Sequence, residues 1–279
     1  MDIPIELTYT GVAGWHLRTP GHALSFDPYY TRMNMLRGEI RPAIPNLAAI
    51  REHAPPTESI FISHPHFDHI MDAPEVARLH GATIHASPQG CEMLRIVGVP
   101  EKQIRTIQSG DRLALGNVAV TVYRAQHRII FGKVPFQGPL RPGLTPPIHG
   151  RDYRMVQLFS FLVEVGDVRI LICSGIDAEP RVKADLLIVG PDAARWQLEL
   201  ILGDAQPRAV LPNHWDNMFQ PLSAPVRPMV QSPRGFTLWP YRIDLGRFTQ
   251  IVNEIAPAAR VLVPERFMTS QVGEVRAGL

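Results

Sequence analysis

Short apolar runs alternate with amphipathic stretches along most of the chain, a pattern typical of a domain that layers helices on sheets. About nine runs rich in β-branched and aromatic residues predict strands: IPIELTY, HALSFDP, SIFIS, TIHAS, NVAVTVYRA, QLFSFLVEVG, VRILICS, DLLIVG and RAVLPN. Apolar residues at helical spacing, several of them after an N-capping residue, predict helices over residues 46–53, 72–80, 87–97, 192–203 and 245–255. The chain therefore belongs to the α/β class.

Two pairs of predicted strands are joined by turn sequences. Leu115-Gly116-Asn117 and Gly166-Asp167 each separate two apolar runs, as in β-hairpins, so we expect largely antiparallel sheets. No internal repeat interrupts the pattern, and we predict one domain over residues 1–279. Two proline-rich stretches, near 128–156 and 219–240, predict long functional loops inserted into that domain.

Composition narrows the class of protein. With 45% hydrophobic and 19% charged residues, the chain of 279 residues can bury a large core and does not resemble a disordered protein. The formal charge of +2 argues against a nucleic-acid-binding surface. Cys91 and Cys173 are too few for a disulfide framework and the start lacks a leader pattern, so we expect a cytoplasmic protein. No apolar run is long enough to span a membrane, although peripheral membrane contact and homo-oligomers stay open.

The segment His64-Pro65-His66-Phe67-Asp68-His69 carries the strongest chemical signal. It follows the predicted strand SIFIS and precedes a predicted helix, and loops at strand ends are where sites are built. Imidazole suits zinc or iron, and a carboxylate adds a hard ligand. The spacing fits two metal ions a few ångströms apart.

The pattern His-x-His-x-Asp-His after a strand resembles the signature of the metallo-β-lactamase superfamily. Later residues match the rest of that signature, and the opening GVAGWHLRT with HALSFDP is similar to the branch of ascorbate-phosphate lactonase and N-acyl-phosphatidylethanolamine phospholipase. The resemblance implies a four-layer αββα sandwich. It also implies two metal sites joined by one bridging ligand. The first site consists of His64, His66 and His127, and the second of Asp68, His69 and His214. Asp177 is the implied bridging ligand.

Two divalent ions, with Zn²⁺ expected and Mn²⁺ or Fe²⁺ as alternatives, would lower the pKa of a bridging water to about 7 and supply hydroxide for hydrolysis. Asp68 could orient that nucleophile and accept its proton. The first proline-rich loop carries a net positive charge and both loops contain phenylalanine, which favours a small anionic, partly apolar ester, phosphodiester or lactone. Candidate substrate-binding residues are His16, His149, Arg141, Arg151, Arg154 and Asp216.

An alternative function also fits the resemblance. Some relatives with this scaffold use iron for thiol or oxygen chemistry, so an iron-dependent oxidoreductase is the second hypothesis. No flavin-binding domain follows the metal motifs, which weakens the version based on electron transfer. Metal analysis of protein purified without added zinc would separate the two hypotheses.

Overall fold

The computed structural model describes residues 3–33, 41–129, 133–175, 181–231 and 241–277. Strands β1 to β8 span Glu6–Gly11, Gly14–Arg18, Ala23–Phe26, Ser59–Phe61, Thr83–Ala86, Ile104–Thr106, Arg112–Leu115 and Val118–Ala125. Strands β9 to β16 span Leu158–Val165, Val168–Ile172, Leu186–Val189, Ala209–Pro212, Val230–Gln231, Tyr241–Arg242, Arg260–Val261 and Thr269–Gln271. Helices α1 to α7 span Leu47–His53, Phe67–Ile70, Ala73–His80, Pro88–Ile96, Arg195–Ala205, Leu245–Ile255 and Val272–Ala277.

Two seven-stranded sheets form the centre of the molecule. Their strand orders are β16-β1-β2-β3-β4-β5-β6 and β15-β12-β11-β10-β9-β8-β7, and a two-stranded ribbon of β13 and β14 lies apart. Each large sheet is antiparallel in one half and parallel in the other. The two sheets are therefore built on the same plan.

The two predicted hairpins are confirmed, and both large sheets are mixed. Gly116 and Gly166 occupy the two turns at φ +59° and +60°, a left-handed conformation that glycine adopts without a steric cost. In the two large sheets half of the strand pairs are parallel, a larger share than the hairpin sequences had indicated. Parallel neighbours need a crossover, and helices α1, α3, α4 and α5 lie in such connections.

Buried apolar side chains form three main clusters. One cluster lies between the sheets and includes Trp15 and Phe26 from the first sheet with Phe161 and Ile188 from the second. A second cluster packs α1 to α4 on the outer face of the first sheet, and a third packs α5 and α6 on the second sheet. The result is the predicted αββα sandwich. Across the described ranges, every helix is too short or too polar to cross a lipid bilayer.

Capping residues set several helix starts as expected. Asn46 accepts a hydrogen bond from the amide of Ala49, and Ser87 accepts one from Gly90. Asp72 precedes α3 as predicted but does not cap it. Its carboxylate instead accepts hydrogen bonds from the backbone amides of Tyr30 and Thr31, 2.6 and 2.7 Å away. The Asp72 carboxylate therefore ties the segment after β3 to the start of α3.

A buried ion pair ties the first sheet to the loop after β12. Arg32 Nη2 lies 3.1 Å from Asp216 Oδ2, and both side chains are almost completely buried. Asp216 also accepts hydrogen bonds from the Tyr9 hydroxyl and the Val12 amide, at 3.0 and 2.6 Å. Because a buried charge is stable only when it is paired, this cluster holds the loop that carries His214.

We expect Asp216→Asn to destabilise the fold by about 3–5 kcal/mol, because the substitution keeps the side-chain shape but leaves the Arg32 guanidinium buried without a counter-charge. The measurement is the free energy of unfolding in urea. Arg195→Gln is the control, since it breaks an ion pair on the solvent-exposed surface with Glu254, and its unfolding midpoint should stay almost unchanged. Equal effects of the two substitutions would contradict the prediction.

Candidate metal centre

Loops at the ends of three central strands meet at one edge of the sandwich. His64 follows β4 by three residues, and α2 begins at Phe67, which places Asp68 and His69 in its first turn. His127 follows β8 by two residues, and His214 follows β12 by two residues. The two sheets thus contribute ligands to one place from distant parts of the chain.

The side chains form two groups of possible metal ligands. The first consists of His64, His66 and His127, and the second of Asp68, His69 and His214. Within each group the ligand atoms lie within 4.8 Å of one another. The groups adjoin, because the ring centroids of His64 and His69 are 3.9 Å apart. Both sets agree with the sets that the resemblance implied.

Hydrogen bonds fix the protonation of several of these rings. Nδ1 of His127 lies 2.8 Å from the carbonyl oxygen of Arg128, which can only accept, so Nδ1 carries a proton. Ser63 gives its hydroxyl proton to Asp27, so Nδ1 of His64, 3.0 Å from that hydroxyl, must donate to it. In the neutral rings of His64 and His127, Nε2 then keeps a lone pair. That lone pair is what a divalent metal needs, so the donor set fits the expected ions.

Asp27 is the ligand-orienting residue that the sequence analysis missed. Its Oδ2 atom accepts a hydrogen bond from Nδ1 of His69 at 2.9 Å, and its Oδ1 atom accepts one from the Ser63 amide at 2.7 Å. A carboxylate on the far nitrogen of a ligating histidine fixes the ring and increases its basicity. The available signal was a polar residue directly after a buried strand, in Phe26-Asp27-Pro28.

Burial and neighbouring charges set the protonation of the cluster. Burial lowers the pKa of His64 and His66 well below the usual range, and the surrounding imidazoles lower both further. Burial lowers the pKa of His127 to about 4. Burial alone would raise the pKa of the Asp68 carboxyl, but His69 and His214 outweigh it and hold that pKa well below its usual value. Asp68 is therefore ionised at neutral pH.

The predicted bridging ligand Asp177 lies outside the described residues. The chain that leads to it can be followed to Gly175, where Ser174 donates a hydrogen bond to Asp27 at 3.3 Å. A Cβ atom at Gly175 would come within 2.4 Å of the Gln126 carbonyl oxygen. Glycine is therefore required for the loops after β8 and β10 to meet beside the metal ligands.

The structure does not bring the three non-arginine substrate candidates to this centre. Asp216 is buried in the ion pair with Arg32. His16 belongs to strand β2 and faces another cavity, where its Nε2 atom is 3.1 Å from the Pro56 carbonyl oxygen. His149 precedes a short 3-10 helix, Gly150–Asp152. None of these three residues lines the cavity over the metal ligands.

The three candidate arginines also lie elsewhere. Arg141 is half-exposed and pairs with Asp152, with Nη1 and Oδ1 3.2 Å apart. Arg154 donates to the backbone carbonyls of Pro139 and Gln137, which braces the proline-rich loop. Arg151 is exposed on the short 3-10 helix. These three arginines therefore do not line the cavity over the metal ligands, contrary to the expectation from the sequence.

A cavity of about 210 Å³ opens over the two ligand groups. Phe136 and Phe219 line it, as expected from the proline-rich loops, whereas Phe131, Phe236 and Trp239 lie outside the described residues. Other apolar lining residues are Phe67, Pro135, Met218 and Met229. An ion pair of Arg128 and Asp192, which the sequence did not predict, also faces this cavity.

Residues 14–139 match the family model described as a beta-lactamase superfamily domain. This segment, which is under half of the chain, is thus similar to the beta-lactamase superfamily. A metal-dependent hydrolase from Opitutus terrae is 28% identical over 216 residues, which is 76% of this chain and 86% of the relative. Another metal-dependent hydrolase, from Myxococcus xanthus, is 25% identical over 131 residues, and the match spans 47% of this chain but only 42% of that relative's length.

Solved structures of the superfamily share the fold. A metallo hydrolase from the archaeon Ignicoccus hospitalis aligns with a TM-score of 0.63 at 19% identity and covers 96% of this chain and 98% of its own. A diiron β-hydroxylase from Streptomyces venezuelae aligns with a TM-score of 0.59 at 13% identity, over 97% of this chain and 54% of its own. The fold thus occurs in proteins with different reactions.

We expect Asp27→Asn to lower the affinity for Zn²⁺ by about 10- to 100-fold, because His69 loses the negative charge that orients it and increases its basicity. The measurement is competition for Zn²⁺ with a chromogenic chelator. Asp204→Asn, on the partly exposed surface of α5, is the control and should bind Zn²⁺ like the wild type. Unchanged affinity in correctly folded Asp27→Asn protein would exclude this role for Asp27.

Proposed function

We propose that the chain is a hydrolase that binds two divalent metal ions, most simply Zn²⁺, with Mn²⁺ or Fe²⁺ as alternatives. The observation that carries this proposal is the side-by-side position of two complete three-ligand groups, with His64 and His69 in ring contact. The match of residues 14–139 to the superfamily model and the metal-dependent hydrolases among the similar proteins support it. Asp177 remains the proposed bridging ligand.

The bond cleaved is proposed to be that of an ester, a phosphodiester or a lactone. Two divalent ions held at this site would lower the pKa of a water and polarise the carbonyl or phosphoryl oxygen of such a bond. The imidazoles contribute neutral nitrogen ligands, and the hydrogen bonds to Asp27 and to the Arg128 carbonyl keep His69 and His127 oriented. The apolar lining limits the water around the reacting bond.

Asp68 has two proposed roles, as a metal ligand and as the proton acceptor. Its Oδ2 atom lies 3.0 Å from Nε2 of His214 and 3.5 Å from Nε2 of His69, so it sits among the second group of ligands. The low pKa of its carboxyl keeps it ionised across the working pH range. An ionised carboxylate beside the reacting bond can orient a water and accept a hydrogen bond from it.

An iron-dependent oxidoreductase is the second candidate function. The similarity of the fold to a diiron β-hydroxylase favours it, and imidazole and carboxylate ligands suit iron as well as zinc. The two candidates differ in the metal that they need. Hydrolysis with Zn²⁺ alone, with no oxygen consumed, would support the hydrolase and exclude the oxidoreductase.

The proposal is tested by screening Zn²⁺-reconstituted protein against phosphodiesters, lactones, carboxylic esters and thioesters. We expect Asp68→Asn to lower kcat on any substrate found by about 10² to 10⁴, because an amide oxygen can approach a metal but cannot accept the proton. Metal content measured on the same samples separates loss of chemistry from loss of metal. Restoration of the wild-type rate by excess Zn²⁺ would show that Asp68 only tunes metal affinity.

His127→Ala is the companion variant, because it removes one ligand of the first group. We expect it to lose metal and activity together while its circular dichroism spectrum stays that of the wild type, since the core of the sandwich does not depend on this loop residue. Unchanged turnover of His127→Ala would contradict the assignment of the first metal site.

A further inference from the structure

The charge balance of the cavity carries an inference about the substrate. Besides the metal ligands, the described lining contains two charged side chains, Arg128 and Asp192, which have opposite signs. Arg128 Nη1 lies 2.7 Å from Asp192 Oδ2. The side chains of Arg128 and Asp192 are only 16% and 7% exposed, so this ion pair is nearly buried in the cavity wall.

The pair links two walls of the site. Arg128 follows the ligand His127 directly, and its carbonyl oxygen accepts the hydrogen bond that orients that ring. Asp192 lies in the connection between β11 and α5, next to Gly190. A guanidinium with a carboxylate at hydrogen-bond distance is already neutralised. An anionic group that entered the cavity would have to compete with Asp192 for Arg128 while it approached the Asp192 carboxylate.

The remaining lining of the described cavity is mostly apolar, with Phe67, Phe136, Met218, Phe219 and Met229 among its residues. Arg141 and Arg154 of the proline-rich loop, whose charge had favoured an anionic substrate, lie elsewhere and are bound to their own partners. A volume of about 210 Å³ limits the substrate to a small molecule.

We propose that the Arg128–Asp192 ion pair makes this site selective for small, electrically neutral, mostly apolar esters or lactones, with Asp192 as the residue that rejects anions. The inference rests on the proposed hydrolase function and narrows its substrate class. Removal of the Asp192 charge would leave Arg128 as an uncompensated cation facing the cavity, and an anionic ligand would then supply the missing partner.

The test uses benzamide and benzoate, two probes of nearly the same shape that differ by one negative charge. Their dissociation constants are measured by calorimetry on Zn²⁺-loaded wild-type protein and on Asp192→Asn. We expect Asp192→Asn to bind benzoate at least tenfold more tightly than the wild type does, with benzamide changed less than about threefold. Any contact of benzoate with the metals is common to both proteins. It therefore cancels in the ratio of the two dissociation constants for benzoate.

A reciprocal variant keeps the test decisive if Asp192→Asn folds poorly. Arg128→Gln removes the cation but keeps the Asp192 carboxylate, so the cationic probe benzamidine should gain at least tenfold in affinity while benzoate binds more weakly. Metal content and melting temperature of each variant are measured as controls. In the double variant Arg128→Gln/Asp192→Asn, both gains should disappear, because this variant lacks both charges of the pair.

Benzoate affinity that is equal in wild-type protein and in folded, metal-loaded Asp192→Asn would overturn the inference. So would a wild type that hydrolyses 4-acetoxybenzoate faster than 4-acetoxybenzamide, two esters that differ mainly in one negative charge. The proposed function fails separately, if Zn²⁺-loaded protein hydrolyses none of the ester, lactone, thioester or phosphodiester substrates. The binding measurements do not depend on turnover, so the two failures are distinguishable.

Discussion

One buried carboxylate joins the two sheets at the place where the metal ligands meet. Asp27, at the end of β3 in the first sheet, accepts hydrogen bonds from Ser63 and His69 after β4, and from Ser174 after β10 in the second sheet. A negative charge without these donors would be costly so far from water. The relative position of the strand ends, and hence of both ligand groups, depends on satisfying this side chain.

The sequence predicted those parts of the site that are local. His64, His66, Asp68 and His69 lie within one short segment, so their spacing along the chain already determines that they meet. His127 and His214 could be predicted because each follows a strand that was recognisable from its alternating apolar pattern. The sandwich followed from the hairpins, although the parallel half of each sheet depends on crossovers whose pairing the apolar pattern does not reveal.

Contacts between distant residues could not be predicted in the same way. Asp27 and Ser63 are 36 positions apart, Arg128 and Asp192 are 64 apart, and Arg32 and Asp216 are 184 apart. In each case a charged side chain found its partner through the register of the sheets. Asp216 and the loop arginines were therefore assigned to the substrate on the basis of residue type, whereas the structure uses them to hold loops in place.

His214 has a backbone conformation that restricts how this centre can change. Its φ of +53° lies in the left-handed region, and its amide donates to the Val12 carbonyl oxygen at 2.8 Å. Among residues with a Cβ atom, asparagine, aspartate and histidine tolerate this region best, and β-branched or bulky residues tolerate it poorly. Evolution or protein engineering that altered the metal preference at this position would therefore have aspartate as the most accessible alternative ligand, and an oxygen donor there would shift the second site towards harder ions such as Mn²⁺.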